Sequence, residues 1–257
     1  MTIKFLHASL IATTLVLAGQ IPAQEEPALR IDFSVHLLPP QQAIGNAELG
    51  VIDDLHYAYG DIEVPLHLKE GRQSILYPYA GPLRLTLFRV VKQDGKSIRQ
   101  SVCYADIPSG TAAAVLVLQR SGENCRVKPF WFSKADLKEP GFLINISQIP
   151  IGIQLAKNQQ VLLPPGNRMT LHPEFSREEN HAYLFLEAFV SEPRDDTSRI
   201  RKVLECNLFF PKGDTQLNLL IPRNRLQISF VNLSTRGIPN RSARSELERL
   251  IPAPKIR

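Results

Sequence analysis

The densest group of possible metal ligands in the sequence lies between residues 53 and 61. Asp53 and Asp54 precede His56 closely, and Asp61 follows a short distance later. Carboxylates and an imidazole are groups that hold divalent cations. The spacing matches no calcium-binding loop, and the segment leads into a predicted strand. We therefore expect a polar loop here, with no metal site and no cofactor.

A serine, histidine and aspartate site assembled in space is the remaining catalytic option. Five histidines follow the N-terminal segment: His36, His56, His67, His172 and His181. The order of triad residues along a chain is uninformative, because triads form in three dimensions. The sequence has no nucleophile elbow, zinc-protease motif, phosphate-binding loop or dinucleotide fingerprint. We expect a protein that is not an enzyme, with a hydrolase of this type as one alternative.

The sequence has three cysteines, Cys103, Cys125 and Cys206. An odd number leaves at least one thiol unpaired in a monomer, and the spacing lacks the close Cys and His pairs of a zinc site. An exported chain can form disulfides, and a bond between Cys103 and Cys125 around a predicted hairpin would leave Cys206 as the free thiol. The alternation around Cys103 and Cys206 predicts that both side chains point into a core.

Four tyrosines form the most promising binding group: Tyr57, Tyr59, Tyr77 and Tyr79. Aromatic rings on a sheet face stack on sugar rings or anchor a protein partner. The four tyrosines are therefore candidate binding residues, in particular for carbohydrate. Packing, in which the same rings seal the end of a sandwich, is the favoured interpretation.

A repeated pattern indicates how such residues are positioned. Cys103, Pro108 and Gly110 align with Cys206, Pro211 and Gly213, and an apolar run follows each glycine. Proline presets one dihedral angle of a turn, and glycine adopts the positive φ that the turn needs. The pattern predicts two equivalent hairpins, or similar tight connections, and a tandem duplication.

Short alternating strands surround both copies of the pattern, at residues 83–88, 183–189 and 225–231. Their spacing and turn residues are typical of immunoglobulin-like sandwiches. The predicted fold class is all-β, with two tandem immunoglobulin-like β-sandwich domains at residues 25–139 and 140–222. Residues 223–257 would form a final strand and a basic tail, which contains a short helix at residues 242–250.

The N-terminus has the layout of a secretory signal peptide, residues 1–23. Lys4 precedes an apolar stretch, and small residues lead to a cleavage point near Ala23. The stretch is shorter than the roughly 20 apolar residues that span a membrane. We expect an exported protein, periplasmic or extracellular, with no transmembrane segment.

Positive charge is concentrated at the C-terminus. From Arg223 onward there are eight Lys or Arg residues and two Asp or Glu residues. Such a segment is suited to acidic surfaces, but aromatic residues do not interleave with the arginines as nucleic-acid binding requires. We expect a solvated basic tail and no nucleic-acid partner.

Two segments resemble those of a group of uncharacterised exported bacterial proteins. The matching residues are Gly71-Arg72, Ser74, Tyr79 and Gly81-Pro82, then Asn145, Ser147, Pro150 and Pro165-Gly166. The resemblance covers about half of the mature chain and implies an exported β protein, with no activity attached to it. Together these features predict an exported binding or scaffolding protein whose partner is an envelope protein or a glycan. A carbohydrate-binding module and a hydrolase are the alternatives.

Overall fold

The computed structural model describes residues 29–39, 51–121, 124–155, 159–194, 197–224, 227–238 and 241–251. The predicted signal peptide and the last six residues of the basic tail lie outside these ranges. Apart from one α-helix and a single 3₁₀ turn, the described elements are all strands, which confirms the predicted all-β fold class. The predicted division into two domains stays a prediction.

In the first half of the chain, the described part of residues 29–133 forms ten strands. They are β1 (Leu29–Leu38), β2 (Val51–Ile52), β3 (Leu55–Tyr59), β4 (Ile62–Pro65), β5 (Leu68–Lys69), β6 (Tyr77–Gly81), β7 (Arg84–Gln93), β8 (Lys96–Asp106), β9 (Thr111–Ser121) and β10 (Asn124–Ser133). Sheet 1 has the strand order β4-β3-β7-β8, and sheet 2 has the order β10-β9-β1-β6. The short strands β2 and β5 form a separate pair.

The second half, residues 141–234, follows a 3₁₀ turn at Asp136–Lys138. Its strands are β11 (Gly141–Asn145), β12 (Ile151–Leu155), β13 (Gln159–Leu163), β14 (Arg168–Leu171), β15 (His181–Arg194), β16 (Thr197–Pro211), β17 (Gln216–Asn224) and β18 (Gln227–Ser234). Sheet 3 has the order β14-β11-β17-β18, and sheet 4 has the order β13-β12-β15-β16. Strand β18 pairs with β17, so the final predicted strand is part of sheet 3.

The strand orders of the two halves correspond to each other. Sheet 4 repeats the order of sheet 1, and sheet 3, read from β18, repeats that of sheet 2. Among the described strands, each half has one parallel pair, β1 with β9 and β11 with β17. The hairpins β7–β8 and β15–β16 place Cys103 opposite Leu87 and Cys206 opposite Leu186. The Pro-x-Gly segments join β8 to β9 and β16 to β17, which lie in different sheets, so each is a tight connection between two sheets and the prediction of a hairpin there was wrong.

The turn that follows each of these hairpins has the same geometry in both halves. Gly110 has φ +80° and Gly213 has φ +78°. In each turn the amide that follows the glycine donates to the proline carbonyl, of Pro108 or Pro211, at 3.3 Å. A positive φ is accessible to glycine at little cost, which explains why the sequence repeats it here.

Three apolar clusters separate the four sheets. The first lies between sheets 1 and 2, the second between sheets 3 and 4, and the third between sheets 2 and 3. Strand β9 contributes Leu116 and Leu118 to the first cluster and Val115 and Val117 to the third. Its continuous apolar sequence follows from burial on both faces, as in the central strands of layered folds.

Gln73 provides a polar connection between the halves. Its amide donates to the Ser34 hydroxyl at 2.7 Å and also to the Ser234 carbonyl, and its side-chain oxygen accepts the Ser234 amide at 2.9 Å. The side chain thus pairs with the end of β18 as a neighbouring strand would. Both halves depend on this contact, because an unpaired buried amide costs about 1–3 kcal/mol.

The segment after β18 returns to the first half. Ile238 donates its amide to the Ser74 carbonyl at 3.0 Å. The helix α1 (Arg241–Leu250) contacts β4, and Leu247 and Ile251 pack against the first apolar cluster. The described part of the predicted tail is thus docked, because α1 has an apolar side that the first half covers. In the described ranges, no helix has the length and apolarity needed to cross a membrane.

Candidate interaction surface

The structure places three of the four predicted binding tyrosines in the first apolar cluster. Tyr57, Tyr77 and Tyr79 are 0%, 1% and 3% exposed, and Tyr59 packs partly buried against the same cluster. Tyr57 and Tyr77 contact the ring of Phe33, with centroids 5.0 Å and 5.6 Å away. Rings buried to this degree have no free face on which a sugar could stack.

Backbone hydrogen bonds hold the hydroxyl groups of these tyrosines. Tyr57 donates to the Pro78 carbonyl at 2.8 Å, and Tyr79 donates to the Pro82 carbonyl at 2.9 Å. Burial raises the pKa of Tyr79 to about 12. The tyrosines thus combine apolar packing with satisfied polar ends, which is the packing interpretation that the sequence favoured.

Four of the five histidines have defined surroundings, and each of the four lies on or next to a different sheet. The His56 ring lies 3.1 Å from the Asp54 carbonyl, and His172 approaches the Glu139 carboxylate at 3.8 Å. His181 packs against aromatic rings, and His36 is buried. Asp54 pairs with Arg89 at 2.6 Å. In the part of the chain that the structure describes, no three His, Cys, Asp or Glu side chains are grouped as metal ligands.

The three cysteines are free thiols in the structure, and each packs against an apolar cluster. Burial raises the pKa of Cys103 to about 12, and the neighbouring Cys125 adds to this effect. Burial also raises the pKa of Cys125 and of Cys206. Strands β8 and β10 are in contact, so a Cys103–Cys125 disulfide, which stays a prediction, would join sheet 1 to sheet 2.

Thiol labelling tests both the burial and the pairing. We expect native protein to react at most slowly with a thiol reagent at neutral pH, because the thiolate is the reactive form and a raised pKa depletes it. After denaturation without reductant, one labelled thiol indicates the disulfide and three indicate free cysteines. Rapid labelling of Cys103 in the native protein contradicts its burial.

The outer face of sheet 4 carries exposed aromatic side chains. Side chains alternate between the two faces of a strand, so the odd-numbered residues at the start of β15 point away from the core. His181, Tyr183 and Phe209 form an aromatic cluster in which the Tyr183 and Phe209 centroids are 5.5 Å apart. Tyr183 is 61% exposed, and the neighbouring Phe185 is also exposed.

An apolar hollow of about 460 Å³ lies on the same face. Gly152, Leu162, Phe189 and Ile200 are among the residues that line it, and none of the lining residues that the structure describes is charged. Leu162 is 66% exposed and Ile200 is 74% exposed. Gly152 helps to keep the hollow open, since a larger side chain on this strand would project into it.

A charged group separates the aromatic cluster from the hollow. Lys202 donates to Glu187 at 2.9 Å and also to Glu205. Glu187 and Glu205 are opposite each other in the β15–β16 hairpin, and Phe189 is opposite Lys202. The pKa of Lys202 is raised by its hydrogen bonds to Glu205 and Glu187. Along β15, the outer face of sheet 4 therefore carries the aromatic cluster first, then the charged group and then the apolar hollow.

The corresponding positions on sheet 1 are occupied by an ion pair. Counted from the matched cysteine hairpins, Arg84 and Asp106 stand where Tyr183 and Phe209 stand in sheet 4. Arg84 and Asp106 are 2.6 Å apart, and the Arg84 guanidinium lies 4.4 Å from the centre of the Tyr104 ring. The same hairpin geometry thus accommodates charged residues, so the fold itself does not require the aromatic pair.

Sequence reasoning identified residues 183–189 as a strand but did not predict that its second face is exposed. The sequence feature that bears on this face is that apolar residues occupy both the odd and the even positions of YLFLEAF. Strand β9 has the same property and is buried on both faces. The pattern therefore predicts two covered faces, and only the layer order shows that one face of sheet 4 is uncovered.

Comparison with known proteins adds no assignment to this surface. No protein-family model matches the chain, and no curated protein matches it.

Proposed function

We propose that this chain is an exported, non-enzymatic binding or scaffolding protein that engages a protein partner through the outer face of sheet 4. The observation that carries the proposal is the aromatic pair Tyr183 and Phe209, at positions where the first half has an ion pair. Exposed apolar patches rimmed by polar residues mark interaction sites more often than chance exposure does. Aromatic side chains are also the usual anchors of such sites.

The proposal includes the exported location and the tandem duplication. The signal-peptide layout of residues 1–23 supports a periplasmic or extracellular location. The corresponding strand orders and turn glycines of the two halves support a duplication. A duplication explains how one copy of an outer sheet could acquire an apolar face while the other kept its ion pairs.

Photo-crosslinking in the host envelope tests the proposal. A photoreactive p-benzoyl-phenylalanine at position 183 should form a defined protein adduct, because Tyr183 is exposed on the proposed surface. The matched control places the same group at Tyr104, which is 54% exposed on the outer face of sheet 1. Equal adducts at both positions, or none at position 183, would remove the proposal.

A second candidate, carbohydrate binding, rests on Tyr183 rather than on the four predicted tyrosines. The exposed Tyr183 ring lies near Asn207, whose exposed amide offers hydrogen bonds to sugar hydroxyls. Stacking with adjacent hydrogen bonds is how aromatic rings bind polar, ring-shaped ligands. Retention on a glycan array that Tyr183→Ala abolishes would favour this candidate, and silence on the array would dismiss it.

A further inference from the structure

We propose that the partner on the outer face of sheet 4 is a second copy of this chain, in a two-fold symmetric dimer. The inference rests on the proposed function and names its partner. The face carries a projecting aromatic cluster and an apolar hollow on either side of one charged group. A closed dimer requires a patch that is complementary to itself, and a projection beside a hollow meets that requirement.

The spacing along β15 fits a two-fold axis that passes beside Glu187. Such an axis, lying in the interface and perpendicular to β15, sets the two β15 strands antiparallel over each other. Residues equally far from Glu187 then meet, so Phe185 of each copy faces Phe189 of the other. Tyr183 faces Ser191 in the same way, and both Phe189 and Ser191 line the hollow.

Strand β16 follows the same relation. Phe209 is opposite Tyr183 in the hairpin, and Ile200 is opposite Ser191. The axis that brings Tyr183 over Ser191 therefore brings Phe209 over Ile200. The most exposed aliphatic side chain of the face would be covered by an aromatic ring of the other copy.

The size of the face is sufficient for a dimer. Strands β15 and β16 have 14 and 15 residues, and β12 and β13 have five each. At the usual rise and strand spacing, the face measures roughly 600 Å² in projection. A standard interface begins at about 600 Å² for each partner.

The charged group predicts how the dimer responds to salt. Glu187, Glu205 and Lys202 carry one net negative charge on each copy. The axis brings two such groups together, so their repulsion opposes association and salt screens it. The dimer should therefore tighten as salt increases, whereas an attraction between opposite charges would weaken.

Sedimentation of the purified mature protein tests the dimer directly. We expect a concentration-dependent monomer–dimer equilibrium whose dissociation constant falls with added salt. The double variant Tyr183→Arg with Phe209→Asp copies the ion pair of the first half and should raise that constant at least tenfold. Tyr104→Asn, which copies Asn207 onto sheet 1, is the matched control and should leave the constant unchanged.

A second variant, at a highly exposed position, tests the dimer independently of whether the double variant folds. Ile200→Lys changes a side chain that is 74% exposed and should also raise the dissociation constant at least tenfold. A wild-type protein that stays monomeric at high concentration overturns the dimer. So does a dimer that neither variant weakens.

An engineered cysteine tests the position of the axis. In the proposed dimer Glu187 faces its own copy across two sheets stacked about 10 Å apart, so Glu187→Cys should give a covalent dimer with a short bifunctional thiol cross-linker. Ser101→Cys, exposed on β8, should not. Equal linkage of the two variants contradicts the axis.

Photo-crosslinks from position 183 to another protein, with no self-adduct, overturn the dimer and leave the proposed function standing.

Discussion

Replacing Gly237 with alanine is expected to lower the free energy of unfolding by about 3 kcal/mol. Gly237 has φ +68°, and an added Cβ would lie 2.8 Å from the Leu76 amide nitrogen and 2.9 Å from the Ser74 carbonyl oxygen. Both obstacles are backbone atoms, which cannot rotate away. The residue stands where the chain leaves β18 and crosses to the first half, so the strain falls on the contact between the halves.

The matched control is Gly60→Ala. Gly60 also has a positive φ, +56°, but an added Cβ would have no atom within 4 Å. Its expected cost is the backbone strain alone, about 1 kcal/mol. Urea unfolding of both variants measures the difference, and equal losses would show that the close approach of Gly237 to residues 74–76 is not formed in solution.

Acidification is expected to destabilise the protein through His36, by about 3 kcal/mol between pH 7 and pH 4. His36 lies on β1 and is 3% exposed, and neither ring nitrogen has a hydrogen-bond partner of good geometry within the described residues. Burial lowers the pKa of His36 from 6.5 to about 4, an effect that the nearby backbone of Arg72 opposes. Near pH 7 the ring is neutral in both the folded and the unfolded states.

The direction of this pH effect depends on whether the folded or the unfolded state binds a proton at His36 at the higher pH. Between pH 6.5 and pH 4 the unfolded chain takes up a proton at His36 and the folded chain does not, so stability falls as the pH falls. Below about pH 4 both states are protonated and this loss is complete. His36→Leu should remove this part of the pH dependence while keeping the packing.

Denaturant unfolding at several pH values separates His36 from the carboxylates that also titrate. At each pH, the free energy of unfolding of the unchanged protein is subtracted from that of His36→Leu, and this difference is compared across the pH range. His172→Gln serves as the control, because the side chain of His172 is 73% exposed. If His36→Leu retains the full acid sensitivity, the histidine is hydrated in solution and its burial is contradicted.

Local features were predictable where they depend on a few neighbouring residues. The Pro-x-Gly turns at Gly110 and Gly213 follow from the dihedral angles that these residue types allow. The strands at residues 83–88 and 183–189 follow from alternation, and the helix predicted at residues 242–250 is found at Arg241–Leu250. The all-β class needs no more than these signals.

The placement of the tyrosines was not predictable from local sequence. Tyr57 and Tyr77 alternate with less apolar neighbours, as an exposed binding face would, but Tyr57 of sheet 1 and Tyr77 of sheet 2 both point into the core between these two sheets. The odd or even position of a residue along a strand shows which residues share a face. It does not show which of the two faces is covered. Burial was decided by the partner sheet, whose strands come from distant parts of the chain.

Dihedral preference and the spacing of apolar residues were enough to predict the strands at residues 83–88 and 183–189 and the equivalence of the two Pro-x-Gly turns. The order of the four layers depends on contacts between distant segments, so it is visible only in the folded chain. That order covers both faces of β9 and one face of β15, although both strands are apolar at both parities. It therefore leaves Tyr183 and Phe209 exposed, since no sheet of the described chain lies beyond sheet 4.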